Sequence, residues 1–219
     1  YSELLRDLNY RGGAQCHIDP DLSQERRVER IDGWVPAFGQ INAAATYLKN
    51  IGVKPGDIFL FFGNFRFVER WCGRYRYCRN SADPYRGRDL QVIWGYLQVG
   101  EILTAPDAQR KLYWHPHASA ARTANPTNTI FKAAETLSLD EGLPGAGLLP
   151  FDKKRVLTLP GAPKATWQRN EVYDENHICG NRSNSAKDPE KGIYYAGIWQ
   201  ELGLMESDAC TAWARDMLS

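Results

Sequence analysis

Two apolar segments that enclose a polar insertion constrain the fold of this chain most. Residues 57–63 and 91–103 are rich in Ile, Val, Phe and Tyr and are bordered or interrupted by glycine, which is typical of strands. Glycine inside a strand marks a bulge or a close backbone approach. The longer strand is therefore expected to bend at Gly95 or Gly100, and the pair predicts a curved or barrel-like sheet.

Helical patterns lie on either side of this pair. A short helix is predicted over residues 2–8, with Ser2 as its N-cap, a longer one over 37–51 and a C-terminal one over 207–218. Residues 129–134 and 156–159 are predicted strands. The expected fold class is α+β: one domain over residues 1–219, with a mixed sheet flanked by helices.

Composition excludes several classes of protein. The net charge of +1 argues against a surface that is basic throughout, although a local basic patch remains possible. No apolar run approaches the roughly 20 residues of a membrane-spanning helix, so no membrane partner is expected. The five cysteines form no CxxC pair and no zinc-binding spacing, which predicts a reduced, cytoplasmic protein.

The segment His17-Ile18-Asp19-Pro20-Asp21 gathers ionisable side chains in a predicted loop. In extended chain, His17 and Asp19 point to the same side and could chelate a metal ion. With a distant histidine they would form the two-histidine, one-carboxylate face of non-haem iron enzymes; the candidates are His115, His117 and His177. The alternative is a turn in which His17 bonds to backbone, and it is the preferred interpretation with respect to a metal.

The segment Trp114-His115-Pro116-His117 is the second candidate. Its two imidazoles could bind a metal, contact phosphate or transfer a proton near neutral pH. An exposed loop anchored by Trp114 is an equally good interpretation. Because three of the four histidines lie in these two short segments, a shared site is slightly favoured.

Arginine and aromatic residues alternate in the insertion between the two strands. Arginine pairs with phosphate and stacks on bases, and Tyr and Trp offer stacking platforms, so the pattern favours nucleic acid. The alternative is a solvated loop in which arginines pair with Glu69, Asp83 and Asp89. Because arginines outnumber these acids, phosphate binding is favoured. The residues are Arg66, Arg70, Trp71, Arg74, Tyr75, Arg76, Tyr77, Arg79, Tyr85, Arg86 and Arg88.

An ordered series of segments resembles the third of the nucleotide-modification-associated domain families. The segments are His17 to Leu22, Gly33-Trp34, Ala37 to Gln40, Gly56 to Gly63, Trp94 to Glu101, His115-Pro116-His117, residues 137–147 and Trp199-Gln200-Glu201. The resemblance implies a bacterial or phage protein that acts with systems modifying bases in DNA, and a further segment before Tyr1. A weaker likeness, carried by Gly56-Asp57 and Ile93-Trp94-Gly95, is to PUA-like barrels of the EVE and ASCH groups.

These observations lead to one leading function with two alternatives. The chain is expected to bind or process a nucleotide or modified base, within a DNA-modification or phage-conflict system. The expected polar end of the pocket is His17, Asp19, Asp21, His115 and His117, in which an Asp would be the general base and a His the general acid or a phosphate contact. The expected binding residues are Trp34, Trp94 and Tyr96 for stacking, Gln40 and Gln98 for a base edge, and Arg66, Arg70, Arg74 and Arg76 for phosphate.

The alternatives are a non-catalytic reader of modified bases or DNA, and an iron or zinc enzyme with a His-x-Asp…His site. No cofactor and no metal ligand are assigned from the sequence, and catalysis itself is left open. The expected partner is a nucleotide or DNA.

Overall fold

A bent antiparallel sheet organises the computed structural model, which describes residues 2–13, 18–23, 29–79, 82–173, 178–179, 192–194 and 201–219. The helices are α1 Ser2–Asp7, α2 Asn42–Asn50, α3 Pro106–Arg110, α4 Ala120–Thr123 and α5 Asp208–Leu218. The strands are β1 Ala37–Gln40, β2 Ile58–Phe65, β3 Val68–Trp71, β4 Arg74–Tyr77, β5 Leu90–Leu103, β6 Thr129–Ala133, β7 Thr136–Leu137, β8 Asp140–Pro144, β9 Ala146–Leu148, β10 Thr166–Gln168 and β11 Gly192–Tyr194. Short 3₁₀ turns occupy Pro116–Ala118, Lys153–Arg155 and Glu171–Tyr173.

The main sheet has the order β1-β6-β5-β2, and β9 also pairs with β5. The long strand β5 pairs with β2 over its first part and with β6 over its last part. Two bulges interrupt it, at Trp94 between the pairs Gly95–Phe61 and Ile93–Phe62, and at Gly100. Bulges bend and twist a strand, and the sheet curls into a half-barrel. The predicted α+β fold with a curved sheet is confirmed, although every described strand pair is antiparallel.

An aromatic cluster connects three strands of the main sheet. Phe38 of β1 contacts Phe59, Phe61 and Phe131 at ring-centroid distances of 5.3, 5.0 and 5.9 Å. Such edge-to-face and offset contacts are favourable beyond the area they bury. Helix α2 covers this cluster through Leu48, so one end of the core is fixed around β1.

A second hydrophobic cluster lies under the C-terminal helix. Trp167, Tyr173 and Met217 are buried together. Ser207 caps α5, because its side chain accepts a hydrogen bond from the backbone N–H of Cys210. The predicted helix over 207–218 is thus confirmed, with Ser207 as the cap.

The prediction of one helix over residues 37–51 is wrong in its first part. Residues 37–40 form β1 and pair with β6 from Ala37–Lys132 to Gln40–Thr129, and Asn42, with φ of 59°, lies at the change from strand to helix. Phe38 falls at helical spacing from the apolar residues of α2, but it is a strand residue. Tertiary pairing overrides local pattern here.

Two further differences concern other segments. The predicted strand at 156–159 forms only isolated bridges, Val92–Val156 and Thr158–Trp167. The Arg-rich insertion contains the β3–β4 hairpin rather than loop alone.

The four cysteines that the structure describes, Cys72, Cys78, Cys179 and Cys210, are free thiols. Within the described ranges, no helix has the length and apolar character needed to cross a bilayer.

Candidate functional site

The carboxylate of Asp19 lies between two imidazoles. Its Oδ2 is 3.2 Å from Nε2 of His117, its Oδ1 is 3.6 Å from Nε2 of His115, and the backbone N–H of Gly39 donates to Oδ1 at 2.9 Å. The three ionisable side chains are each less than a tenth exposed. The structure thus brings together three of the five predicted polar residues. His17, like His177, lies outside the described residues.

Backbone pairing explains how distant segments meet here. The loop carrying Asp19 is held against β1 by a two-way bridge between Asp21 and Ala37, with N···O distances of 2.9 and 3.0 Å. His115 and His117 flank Pro116 in the 3₁₀ turn that follows α3.

Gly39 allows the two imidazoles to reach the strand. A Cβ atom at this position would lie 2.4 Å from Cγ and Cδ2 of His117 and 2.9 Å from Cε1 of His115. The imidazoles therefore occupy the space of the missing side chain. Any larger residue at position 39 would displace the pair from Asp19.

A pair of buried amides behind His117 fixes which ring nitrogen carries a proton. Gln109 Nε2 donates to the backbone carbonyls of Leu103 and Asn128, which turns its Oε1 towards Asn128 Nδ2 at 2.8 Å. Asn128 Nδ2 also donates to the carbonyl of His117 at 2.9 Å. Because these carbonyls can only accept, both amides have one orientation. Asn128 Oδ1 then faces His117 Nδ1 at 2.7 Å and requires a proton there.

The second ring nitrogen of His117 faces Asp19. Its Nε2 lies 3.2 Å from Oδ2 of the carboxylate. Burial raises the pKa of Asp19, but the contacts with His115 and His117 and the backbone N–H of Gly39 outweigh it and lower that pKa to about 2. Asp19 is thus ionised.

His115 is held in the opposite tautomer. Its Nδ1 accepts the backbone N–H of His117 at 3.2 Å, so in the neutral ring the proton is on Nε2. This buried atom has no hydrogen-bond partner among the described residues and lies 3.6 Å from Oδ1 of Asp19. A metal ion bound at Nε2 would require an imidazolate. Consistent with this, no trio of His, Cys, Asp or Glu within the described ranges is arranged to hold a metal ion.

An open depression of about 540 Å³ lies beside Asp19. Its walls are Ile18, Asp19, Pro20, Phe65, Trp94, Leu148 and Leu149. Trp94 is the extra residue of a β5 bulge, and bulges redirect side chains at sites. The depression therefore combines one ionised carboxylate with two aromatic side chains.

Asp21 and Trp34 belong to a separate network. Arg30 binds both oxygens of Asp21 at 2.7 Å, and Trp34 Nε1 donates to Oδ2 at 3.0 Å. The Arg30 guanidinium also lies over the Trp34 ring, 4.3 Å from its centroid. The structure does not bring these two predicted residues to the Asp19 cluster, and it gives them contacts that fix the loop.

The remaining predicted base-binding residues also have internal partners. Gln98 is buried, with Nε2 donating to Gly56 O and Ser138 Oγ and Oε1 accepting from Ser138 N. Tyr96 is buried and donates its hydroxyl to the carbonyl of Pro144. Gln40 donates to Glu201 at 3.1 Å. Of the predicted stacking and base-reading residues, Trp94 alone lines the depression.

The four predicted phosphate-binding arginines lie on or beside the β3–β4 hairpin. Arg66 is 3.6 Å from Asp89, Arg70 is 3.1 Å from Glu3, and Arg76 is 2.8 Å from Glu69. Two of these three acids, Glu69 and Asp89, are among those considered from the sequence. Exposed pairs of this kind are weak and exchange readily with other ligands.

Sequence reasoning missed Gly39, Gln109 and Asn128. None belongs to a motif with a recognisable spacing, since each acts through a contact between distant segments. For Gly39 the available signal was its place between Phe38 and Gln40, in one of the segments that resemble the family.

A family model described as Nucleotide modification associated domain 3 matches residues 1–202 of the chain. Neither the search of curated proteins nor the search of solved structures gave a match.

Proposed function

Because the chain belongs to the nucleotide modification associated domain 3 family, we propose that it binds a nucleotide or modified base beside Asp19. The observation that carries the proposal is that Asp19 and Trp94 line one depression. A base needs an aromatic face to stack on and a polar group at its edge. In a base-modification setting the natural source of that base is DNA or a DNA precursor.

Asp19 is suited to accept a hydrogen bond from the base. A pKa of about 2 keeps it ionised throughout the physiological range. Bases that carry an amino group can donate to such a carboxylate. The same low pKa makes Asp19 a weak general base, so recognition is better supported than the proton abstraction expected from sequence.

His115 and His117 act on this recognition indirectly. Both contact Asp19, and neither lines the depression. We assign them the role of holding the carboxylate charged and oriented, in the manner of an outer shell around a binding group.

The test is isothermal titration of wild type, Trp94→Leu and Asp19→Asn with a panel of mononucleotides. Loss of base stacking should weaken binding by about 5- to 100-fold. Tyr113→Ala is the matched control, since Tyr113 is an aromatic residue that is 71% exposed and lies outside the depression. The proposal is contradicted if wild type binds no mononucleotide, or if Tyr113→Ala weakens binding as much as Trp94→Leu.

A further inference from the structure

The β3–β4 hairpin has two faces of different character. Residues directly opposite in the ladder share a face, so the pairs Glu69–Arg76 and Trp71–Arg74 define one face and Val68–Tyr77 and Arg70–Tyr75 the other. Contacts agree with this assignment. The Arg76 guanidinium lies 4.1 Å from the ring centroid of Trp71, and that of Arg70 lies 5.4 Å from Tyr75.

Helix α1 attaches to the second face and to the neighbouring strand edge. Glu3 pairs with Arg70 at 3.1 Å, and Asp7 accepts the backbone N–H of Tyr75 at 3.0 Å. The side with Arg70 is therefore backed by a helix with two acidic groups. The opposite face carries Trp71, Arg74 and Arg76 and is here named the Trp71 face. The one acid among its paired hairpin residues is Glu69, which pairs with Arg76.

The Trp71 face exposes an aromatic ring beside two guanidinium groups. Trp71 is 57% exposed although it is a large apolar side chain. Arg76 stacks on one side of the indole, and Arg74 is directly opposite Trp71 in the ladder. A solvent-exposed tryptophan held in place by a stacked arginine is a preformed surface for a second flat, polarisable group.

We propose that the Trp71 face binds single-stranded nucleic acid. An unpaired base stacks on the indole of Trp71, and Arg74 and Arg76 contact the flanking phosphates. Charge complementarity favours a polyanion, because the paired hairpin residues of this face include two arginines and one acid, which is paired with Arg76. An unpaired base is favoured over duplex because only an unstacked base offers its flat face to a side chain.

This surface is independent of the depression beside Asp19. It uses none of the residues that line the depression. Its ligand is a polymer, bound through a stacked base and the flanking phosphates, rather than a mononucleotide. The protein could therefore fail to bind mononucleotides and still bind single-stranded nucleic acid. It could also bind mononucleotides and fail to bind single strands. The two proposals are tested by different ligands.

The experiment is fluorescence anisotropy of a labelled mixed-sequence DNA oligonucleotide, single-stranded and as a duplex, at several salt concentrations. Trp71→Ala should weaken binding of the single strand by about 5- to 100-fold. Arg74→Gln should weaken it less and lower the slope of log K against log salt by about 0.7. The matched control is Arg70→Gln, which removes the same charge from the opposite face of the same hairpin. The sequence pattern assigned phosphate to Arg70 as well, whereas the present proposal assigns it to the Trp71 face alone, so affinity should be unchanged.

Each other outcome overturns the proposal. Equal losses in Arg70→Gln and Arg74→Gln would mean a diffuse charge effect rather than one face. A Trp71→Ala variant that binds like wild type would remove the stacking role. Binding to duplex as tight as to single strand, or no binding by the wild type, would exclude an unpaired base as the ligand.

Discussion

The Asp19 cluster and the β3–β4 hairpin use charged and aromatic side chains in opposite ways. In the cluster, the Asp19 carboxylate and the ring of His117 are buried. The backbone N–H of Gly39 orients the carboxylate, and the Asn128 side chain, itself bonded to backbone, orients the ring. In the hairpin, arginines are largely exposed and form pairs that water and salt weaken. The first arrangement is rigid and selects one ligand geometry, and the second adapts to a variable polymer.

The largest effect is expected from Asn128→Leu. The change leaves His117 Nδ1–H, the His117 carbonyl and Gln109 Oε1 without partners, and buried unsatisfied groups of this kind cost about 1–3 kcal/mol each. We expect several kcal/mol of destabilisation in urea denaturation. The imidazole ¹⁵N spectrum should also change, because the proton on Nδ1 of His117 is no longer fixed.

Gln98→Leu is the matched control for this change. Gln98 is a buried amide with a comparable set of hydrogen bonds to Gly56 and Ser138. It should cost similar stability and leave the imidazole spectrum of His117 as in wild type. If both variants alter that spectrum alike, the amide pair has no specific role in fixing the tautomer.

Gly39→Ala should be the next largest perturbation. The new Cβ would lie 2.4 Å from the ring of His117, and overpacking of a buried site costs about 1–3 kcal/mol. We expect thermal unfolding at a lower temperature and weaker mononucleotide binding, since His117 must move away from Asp19. Gly52→Ala, where nothing lies within 4 Å but φ is +80°, controls for the general cost of a methyl group. Unchanged ligand affinity in Gly39→Ala would contradict the role of His117.

The pH dependence of stability tests the charge of Asp19. Its pKa is lowered from 3.8 to about 2, so the ionised form stabilises the fold by about 2 kcal/mol at neutral pH. Because the folded pKa is the lower one, this contribution is present above pH 4 and is lost as the pH falls from about 4 to 2. Between about pH 4 and 2, the free energy of unfolding should depend less on pH in Asp19→Asn than in the wild type. Parallel curves for wild type and variant would show that the carboxylate is not stabilised as described.

How far the sequence predicted the fold also differs between the two regions. The strands at 57–63 and 91–103 and the bend at Gly100 are confirmed, because runs of apolar residues and the glycines within them are local signals. Residues 37–40 were misassigned because pairing with β6 decides their conformation. The proximity of Asp19, His115 and His117 was proposed from their clustering along the chain, but Gln109 and Asn128 were missed. Hydrogen bonds to backbone across the fold leave no periodic pattern.

The smallest effect is expected in the hairpin, from Glu3→Gln. Arg70 and Glu3 are 60% and 49% exposed and 3.1 Å apart, and such pairs contribute about 0.2–1 kcal/mol. Stability should fall by less than 1 kcal/mol at low salt, and the difference should vanish at high salt. Binding of single-stranded nucleic acid should not weaken, because the change lies on the helix-backed face and removes a negative charge. A loss of stability comparable to that of Gly39→Ala, measured by urea denaturation at both salt concentrations, would show that the hairpin is as tightly organised as the Asp19 cluster.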